Sequence, residues 1–480
     1  MLPETHTREM VIELHADTAS MGATSPDGHE SRSDGRGGRP LSEVEAERLI
    51  GAVCFKTGPP EKIGAELEWL VHDRHDPALP VRFDAIRQIL SCLGQPGTLP
   101  GAGVLTLEPG GQVELSTAPA KNLSECVAAA SGDLAIMREA FAEAGLVLTG
   151  FGYDPHRLPR RVLDLPRYAA MERYFDRRGP WGRLMMCSTA SVQVCVDAGL
   201  DDDGAAGYPF RWRLLHAIAP VLVAAFANSP LRRGRPTGWK CTRQLVWAKL
   251  DPCRTRAPAG AEPDGPGLDT RAGWTGYAMD ADVLCLRRPD GQPWVVPAGL
   301  TFRDWLRQAA AGAGPPAWPG PTEDDLAYHL STLFPPVRPR GHFELRMIDA
   351  QPGDGWIVPV ALVSALADDP IAAGAAMAAV EPVWRPAWSR PGGQAAGRGT
   401  DPWLRAARCG MADPVLAWAA AECFGAADAA LARSAAPPLI RNAVADFADR
   451  YVRRGRCPAD DLLAASSPPA ASSPTSGGDT

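Results

Sequence analysis

Lys62–His72 reads K-I-G-A-E-L-E-W-L-V-H, and the fold follows from its alternation. Ile63, Ala65, Leu67, Trp69 and Val71 alternate with Gly64, Glu66 and Glu68. Successive side chains of a strand point to opposite faces, so this stretch predicts a strand with one apolar and one acidic face. Three more stretches share the pattern. Across Leu105–Thr117, Leu107, Val113 and Leu115 oppose Glu108, Gln112, Glu114 and Ser116 about a Pro109-Gly110-Gly111 turn, which predicts a hairpin. In Ser188–Asp197, Ala190, Val192, Val194 and Val196 alternate with Thr189, Ser191, Gln193 and Cys195. In Gly341–Asp349, Phe343, Leu345 and Met347 alternate with His342, Glu344 and Arg346. Strands distant in sequence that each keep an apolar face predict an α+β fold, a mainly antiparallel sheet with helices packed behind that face.

Composition fits such a fold. The chain has 480 residues, 45% hydrophobic and 22% charged, with a formal net charge of −7. These fractions exclude wholesale disorder and a collagen-like repeat. Mild acidity argues against nucleic acid or an anionic membrane as partner and leaves small molecules. Only Lys56, Lys62, Lys121, Lys240 and Lys249 are lysines, and none follows a glycine, which excludes a Gly-Lys-Ser/Thr phosphate loop. The 11 cysteines form no C-x-x-C pair, so a reduced cytoplasm is the expected setting. The longest apolar run, Ala219–Ala227, falls far short of the roughly 20 residues that span a bilayer.

Residues 1–40 show no sustained period and residues 456–480 are rich in Ser, Pro and Ala, so both are expected to be disordered around one unit at 41–455. Ser42-Glu43-Val44-Glu45 reads as a capping box opening a helix that runs to about Phe55. Further helices are predicted at Phe83–Leu93, Ser124–Ala144, Arg211–Ala227, Glu323–Leu333, Pro359–Ala367, Pro414–Cys423 and Ile440–Arg453. Ala257–Gly267 and Ser389–Gly399 read as Gly/Pro-rich surface insertions.

For any one strand, solvent is the ordinary destination of a polar face. Together these faces carry Glu66, Glu68, Glu108, Glu114 and Glu344 and no lysine. Two carboxylates about 4 Å apart repel by roughly 4 kcal/mol at an effective dielectric near 20. Several such pairs would consume the stability of a domain unless cations neutralise them. Carboxylate oxygens suit Mg²⁺ or Mn²⁺, whose sites substrate phosphates commonly complete. Arg346, on the same face as Glu344, offers a planar fork to such a phosphate.

The blocks G-A-E-L-E-W (Gly64–Trp69), E-P-G-G-Q-V-E-L-S (Glu108–Ser116), S-T-A-S-V-Q-V-C-V-D (Ser188–Asp197), T-R-Q-L-V-W-A-K-L-D-P-C-R (Thr242–Arg254) and H-L-S-T-L-F-P-P-V-R-P-R-G-H-F-E-L-R-M-I-D-A (His329–Ala350) occur in that order. In them the chain resembles the plant-type and actinobacterial glutamate–cysteine ligases of the carboxylate–amine ligase family, most of all the actinobacterial branch that opens the ergothioneine pathway. The resemblance implies a glutamine synthetase/guanidino kinase-like catalytic fold, with a curved antiparallel sheet, helices behind it and a funnel in front. It implies ATP-dependent joining of the γ-carboxylate of L-glutamate to the amine of L-cysteine through a γ-glutamyl phosphate, with Mg²⁺ or Mn²⁺. It implies Glu66, Glu68, Glu114 and Glu344 as metal ligands, Glu108 and Gln193 in contact with substrate or ATP, Arg346 near the transferred phosphoryl group, and Arg243 on the α-carboxylate of glutamate. A monomer, or at most a weak homodimer, is expected. Cys241 and Cys195 depart from the family pattern beside these residues, and Trp181, Trp247 and Tyr328 are candidates for the thiol pocket. Three alternatives stay open: another amine acceptor, supply to glutathione, and a non-catalytic binder of nucleotide or amino acid.

Overall fold

The computed structural model describes residues 39–261, 269–288, 292–313, 319–385 and 401–466. The four alternating stretches form the middle of one antiparallel sheet. Its strands are β1 (Ile63–Asp73), β2 (Val104–Leu107), β3 (Val113–Ser116), β4 (Leu146–Thr149), β5 (Ser191–Asp197), and, beyond the small hairpin of β6 (Leu231–Arg232) and β7 (Arg235–Pro236), β8 (Val337–Pro339) and β9 (His342–Asp349). The order is β2-β3-β1-β5-β9-β8, with β4 paired to the far end of β1. Leu67, Val113, Leu115, Val194, Phe343 and Leu345, the apolar members of the alternation, are fully buried. Helices Leu123–Glu143, Tyr208–Ala225 and Ile357–Asp368 pack behind the sheet.

One alternation breaks. Val194 stands opposite Leu345 but Val192 stands opposite Ile348, so a β-bulge sets two residues of β9 against Gln193. Ile348, rather than the expected Met347, continues the apolar row.

The predicted helices are present with shifted ends. The capping box at Ser42 forms, with Glu45 returning to the Ser42 backbone, and opens helix Glu43–Cys54. Pro414–Arg433 runs ten residues past its expected end at Cys423, because an alanine-rich stretch sustains a helix without long apolar side chains. Among the described residues it is the one single helix long and apolar enough to cross a bilayer, but Leu416, Ala419, Ala420 and Cys423 are buried against neighbouring helices. The pair Ile357–Asp368 and Pro370–Trp384, bent by 103°, passes the same test only if taken as one span.

The expected disorder from residue 456 is corrected in part. Cys457 and Ala459 are fully buried, Pro458–Ser466 is a helix, and Asp460 pairs with Lys240. Within the expected insertion at Ala257–Gly267, Ala261 is buried in the core. The second insertion, most of the N-terminal segment and the last 14 residues lie outside the described residues.

Candidate active site

The polar face of the sheet is the floor of a cavity of about 710 Å³. Strand register assembles the floor. Glu68 lies directly opposite Glu114, Glu66 opposite Gln193, Cys195 opposite Glu344, and Glu344 opposite Arg338. Glu66, Glu68, Glu108, Glu114, Gln193, Arg243 and Arg346 all line the cavity.

The hydrogen bonds divide this floor into two halves. On the acidic half, Glu68 accepts from the Ser191 backbone N–H at 2.8 Å and from Gln193 Nε2 at 2.9 Å. Glu114 accepts from Thr106 Oγ1 at 2.9 Å and Ser116 Oγ at 3.2 Å. Burial, reinforced by Glu344 and Glu114, pushes the Glu66 carboxyl up to about 8. Burial with Glu114 and Glu68 does the same to Glu108, also to about 8. Glu114 rises to about 7 through burial and Glu68. Glu68 also rises through burial, although Arg243 and Arg346 pull it down. Desolvated carboxylates that raise one another's proton affinity are short of positive charge, the charge a divalent cation would bring. Among the described residues no three His, Cys, Asp or Glu side chains form a ready-made metal cage. The donors that Glu66, Glu68 and Glu114 do offer are carboxylate oxygens, the ligand type a hard cation takes.

The basic half is organised around Glu344. Its fully buried carboxylate accepts from Arg338 Nη2 at 2.9 Å and Nε at 3.1 Å, and also pairs with Arg340 and Arg346. Three guanidinium groups hold it far below the usual carboxylate range against the opposing effect of burial. Glu344 thus stands apart from the other three expected ligands, because its oxygens are occupied by arginine and do not line the cavity.

Gln193 joins the halves. It donates to Glu68 and accepts from Arg346 Nη1 at 2.6 Å, which fixes the orientation of its amide. Arg243 sits in the first turn of helix Thr242–Leu250 and is 3% exposed. Its Nη2 donates to the Arg346 carbonyl at 2.7 Å, while Nε and Nη1, like Arg346 Nε, have no partner. Buried donors are rarely left unpaired, so unpaired guanidinium nitrogens at a cavity wall point to an anionic ligand.

Cys241 caps this helix by accepting from the Gln244 N–H at 3.3 Å and lies 3.2 Å from Asp349 Oδ1. Cys195 lines the cavity floor. Burial pushes both thiols well above their ordinary range, as it pushes Cys187 up to about 12, so none is an activated nucleophile. Of the three expected pocket aromatics, only Trp247 lines the cavity. Trp181 packs outside it, and Tyr328 lies under Arg167 and Arg287. Sequence reasoning missed Arg338 and Arg340, although both stand in the R-P-R of the fifth block, and Arg167, which lies in no alternating stretch. It also missed the apolar wall of the cavity, where Tyr168, Met171, Met185 and Met186 line it from a buried cluster.

Residues 62–477 match the model of glutamate-cysteine ligase family 2 (GCS2). The chain belongs to that family. The glutamate–cysteine ligase EgtA of Mycobacterium tuberculosis (strain H37Rv) is 39% identical over 420 residues, 87% of this chain and 89% of its own. The EgtA of Mycolicibacterium smegmatis is 37% identical over 437 residues, 90% of this chain and 94% of its own. Chloroplastic glutamate–cysteine ligase B of Oryza sativa subsp. japonica is 30% identical over 309 residues, 61% of this chain and 58% of its own. Among solved structures, the Francisella tularensis glutamate–cysteine ligase in complex with AMP aligns with a TM-score of 0.46 at 11% identity, over 85% of each chain. As a family 2 member the chain is a ligase, and the acidic and basic halves of its cavity are the parts from which the reaction is to be explained.

Proposed function

We propose that this ligase joins L-glutamate to L-cysteine at the expense of ATP and supplies γ-glutamylcysteine for ergothioneine. The observation that carries this reading is the division of one cavity floor into cation-seeking carboxylates and anion-seeking arginines, bridged by Gln193. A γ-carboxylate oxygen of glutamate attacks the terminal phosphorus of ATP and ADP leaves, giving an acyl phosphate. The cysteine amine then attacks the acyl carbon, phosphate departs and the amine loses a proton. Arg346, held by Gln193 and Glu344, faces the transferred phosphoryl group, and the free nitrogens of Arg243 take the α-carboxylate of glutamate. Mg²⁺ or Mn²⁺ held by Glu66, Glu68 and Glu114 would offset charge on the phosphates. Glu344 anchors the arginines in this scheme.

All 11 cysteines are free, which supports a reducing cytoplasm. The test is phosphate release from ATP with glutamate and a panel of amines, with the product identified by mass. Cysteine is expected to outrun alanine and 2-aminobutyrate; equal rates would assign a different acceptor. Neighbouring genes for histidine methylation and an iron-dependent sulfoxide synthase would mark the ergothioneine route, and a glutathione synthetase gene the other.

A further inference from the structure

We propose that Asp349, the last residue of β9, is a positioning residue for Arg243: through Ser229 and Cys241 it fixes the start of helix Thr242–Leu250, so that the free nitrogens of Arg243 are presented to the cavity. This deepens the ligase reading and rests on Arg243 as the site of the glutamate α-carboxylate. Asp349 is 1% exposed, and its hydrogen-bond partners among the described residues are neutral. Its Oδ2 accepts from the Asn228 backbone N–H at 2.9 Å and from Ser229 Oγ at 2.6 Å, and its Oδ1 accepts from Cys241 Sγ at 3.2 Å. Each of the two side chains passes the contact on. Ser229 Oγ accepts from the Arg243 backbone N–H at 3.2 Å, and Cys241 Sγ from that of Gln244 at 3.3 Å. The first N–H groups of a helix have no partner within it, and here two of them end on side chains that one carboxylate orients. The guanidinium is tied to the same strand, because Arg243 Nη2 donates to the carbonyl of Arg346, three residues before Asp349.

An ionised carboxylate is costly to bury, and an amide of the same shape could accept from Ser229 and Asn228 equally well. The place for Asp349 is nonetheless built around it, since a Cβ on Gly152 would lie 2.2 Å from its Cγ. Asn228 is locked beside it by donating from Nδ2 to the carbonyls of Gly150 at 2.6 Å and Ala350 at 2.9 Å. A negative charge at a helix N-terminus is favourable, and this helix opens with a buried arginine whose charge needs support. Burial works against that charge, and Asp349 is the first of the groups that sustain it.

The experiment is a double-mutant cycle between Asp349 and Arg243, read as kcat/KM for glutamate from phosphate release by the full chain. Asp349→Asn is expected to lower kcat/KM for glutamate about tenfold, the scale of one hydrogen bond to a charged group, and to leave the KM for ATP within about twofold. In an Arg243→Met background, where no guanidinium is left to position, the same change is expected to cost less than about twofold. A residue that only held the fold together would cost about as much in both backgrounds, and that result overturns the proposal. If Asp349→Asn fails to fold, Ser229→Ala, which keeps the carboxylate and cuts its link to the Arg243 N–H, is taken through the same cycle and decides. Arg243→Met with unchanged kcat/KM for glutamate would remove the reading of Arg243, and this inference with it. A loss in Arg243→Met that is independent of Asp349 removes the positioning role alone.

Discussion

Replacing Glu344 by glutamine keeps the size of the side chain and removes one negative charge from among Arg338, Arg340 and Arg346. Arg338, itself 7% exposed, contacts both carboxylate oxygens, and burial already draws its guanidinium down to about 10. Breaking a buried pair by removing one partner costs about 3–5 kcal/mol, because the remaining charge stays buried without compensation. Unfolding entropy of roughly 2.1 cal/mol/K per residue over about 400 described residues gives about 0.8 kcal/mol/K. Glu344→Gln is therefore expected to lower Tm by about 4–6 °C in a metal-free melt followed by circular dichroism at neutral pH. A ligand role for Glu344 predicts the opposite pattern, a nearly unchanged metal-free melt with a large rise in the Mg²⁺ needed for half-maximal turnover. A metal-free Tm within about 1 °C of wild type would refute the arginine-anchor reasoning.

Burial depresses His216 to about 4 and His329 to about 3, and each has one ring nitrogen on a backbone carbonyl and the other unpartnered. The unfolded chain takes up these protons below about pH 6.5 while the fold does not, so the pair contributes stability above that pH that is lost as pH falls towards 4, about 3 kcal/mol by pH 5.5; a urea midpoint for His216→Gln is expected to gain on wild type between pH 7.5 and 5.5, and an unchanged difference would contradict this. Glu66, Glu108 and Glu114 have the opposite sign: raised above an ordinary value near 4.5, they cost the metal-free fold stability as pH climbs towards 8. The gain in Tm on adding Mg²⁺ should consequently be larger at pH 8.5 than at pH 6, and equal gains would argue against a metal on Glu66 and Glu114. Asp460→Ala removes the partner of Lys240, which shares the Ala407 carbonyl with the Cys241 cap before Arg243. The KM for glutamate should rise a few-fold with kcat nearly unchanged, and an unaltered KM would show that the C-terminal helix does not position Arg243.

The acidic half was legible in sequence because a strand has a period of two and the faces of paired strands coincide. Glu66, Glu68 and Glu114 could be placed on one surface from alternation alone. Of the basic half only Glu344 and Arg346 could be put on one face in this way, because the rest depends on which strands are neighbours. Arg338 reaches Glu344 only because β8 folds back on β9, and Arg346 meets Gln193 beside a bulge that alternation cannot reveal. The methionine wall was invisible for a different reason: Met171, Met185 and Met186 read as ordinary helix residues, and only tertiary packing brings them to the cavity. The buried C-terminal helix was misread because Ser, Pro and Ala mark disorder by composition, whereas the Lys240–Asp460 pair and buried Cys457 that hold it are single contacts.

The two halves of the floor solve the same electrostatic problem differently. Carboxylates about 4 Å apart cost roughly 4 kcal/mol per pair, and on β9 that cost is met inside the protein by committing Glu344 to three arginines. On β1 and β3 it is left open, with Glu66, Glu68 and Glu114 hydrogen-bonded at most by neutral donors and raised in proton affinity. A site satisfied throughout would have no affinity for a cation, and one unsatisfied throughout would repel the phosphates of ATP. The border residue must then be neutral and both donate and accept, since a carboxylate there would extend the acidic half and an arginine would quench it. Gln193 meets that requirement, with its amide nitrogen on Glu68 and its oxygen on Arg346, so that one side chain sets the distance between the acidic and the basic half.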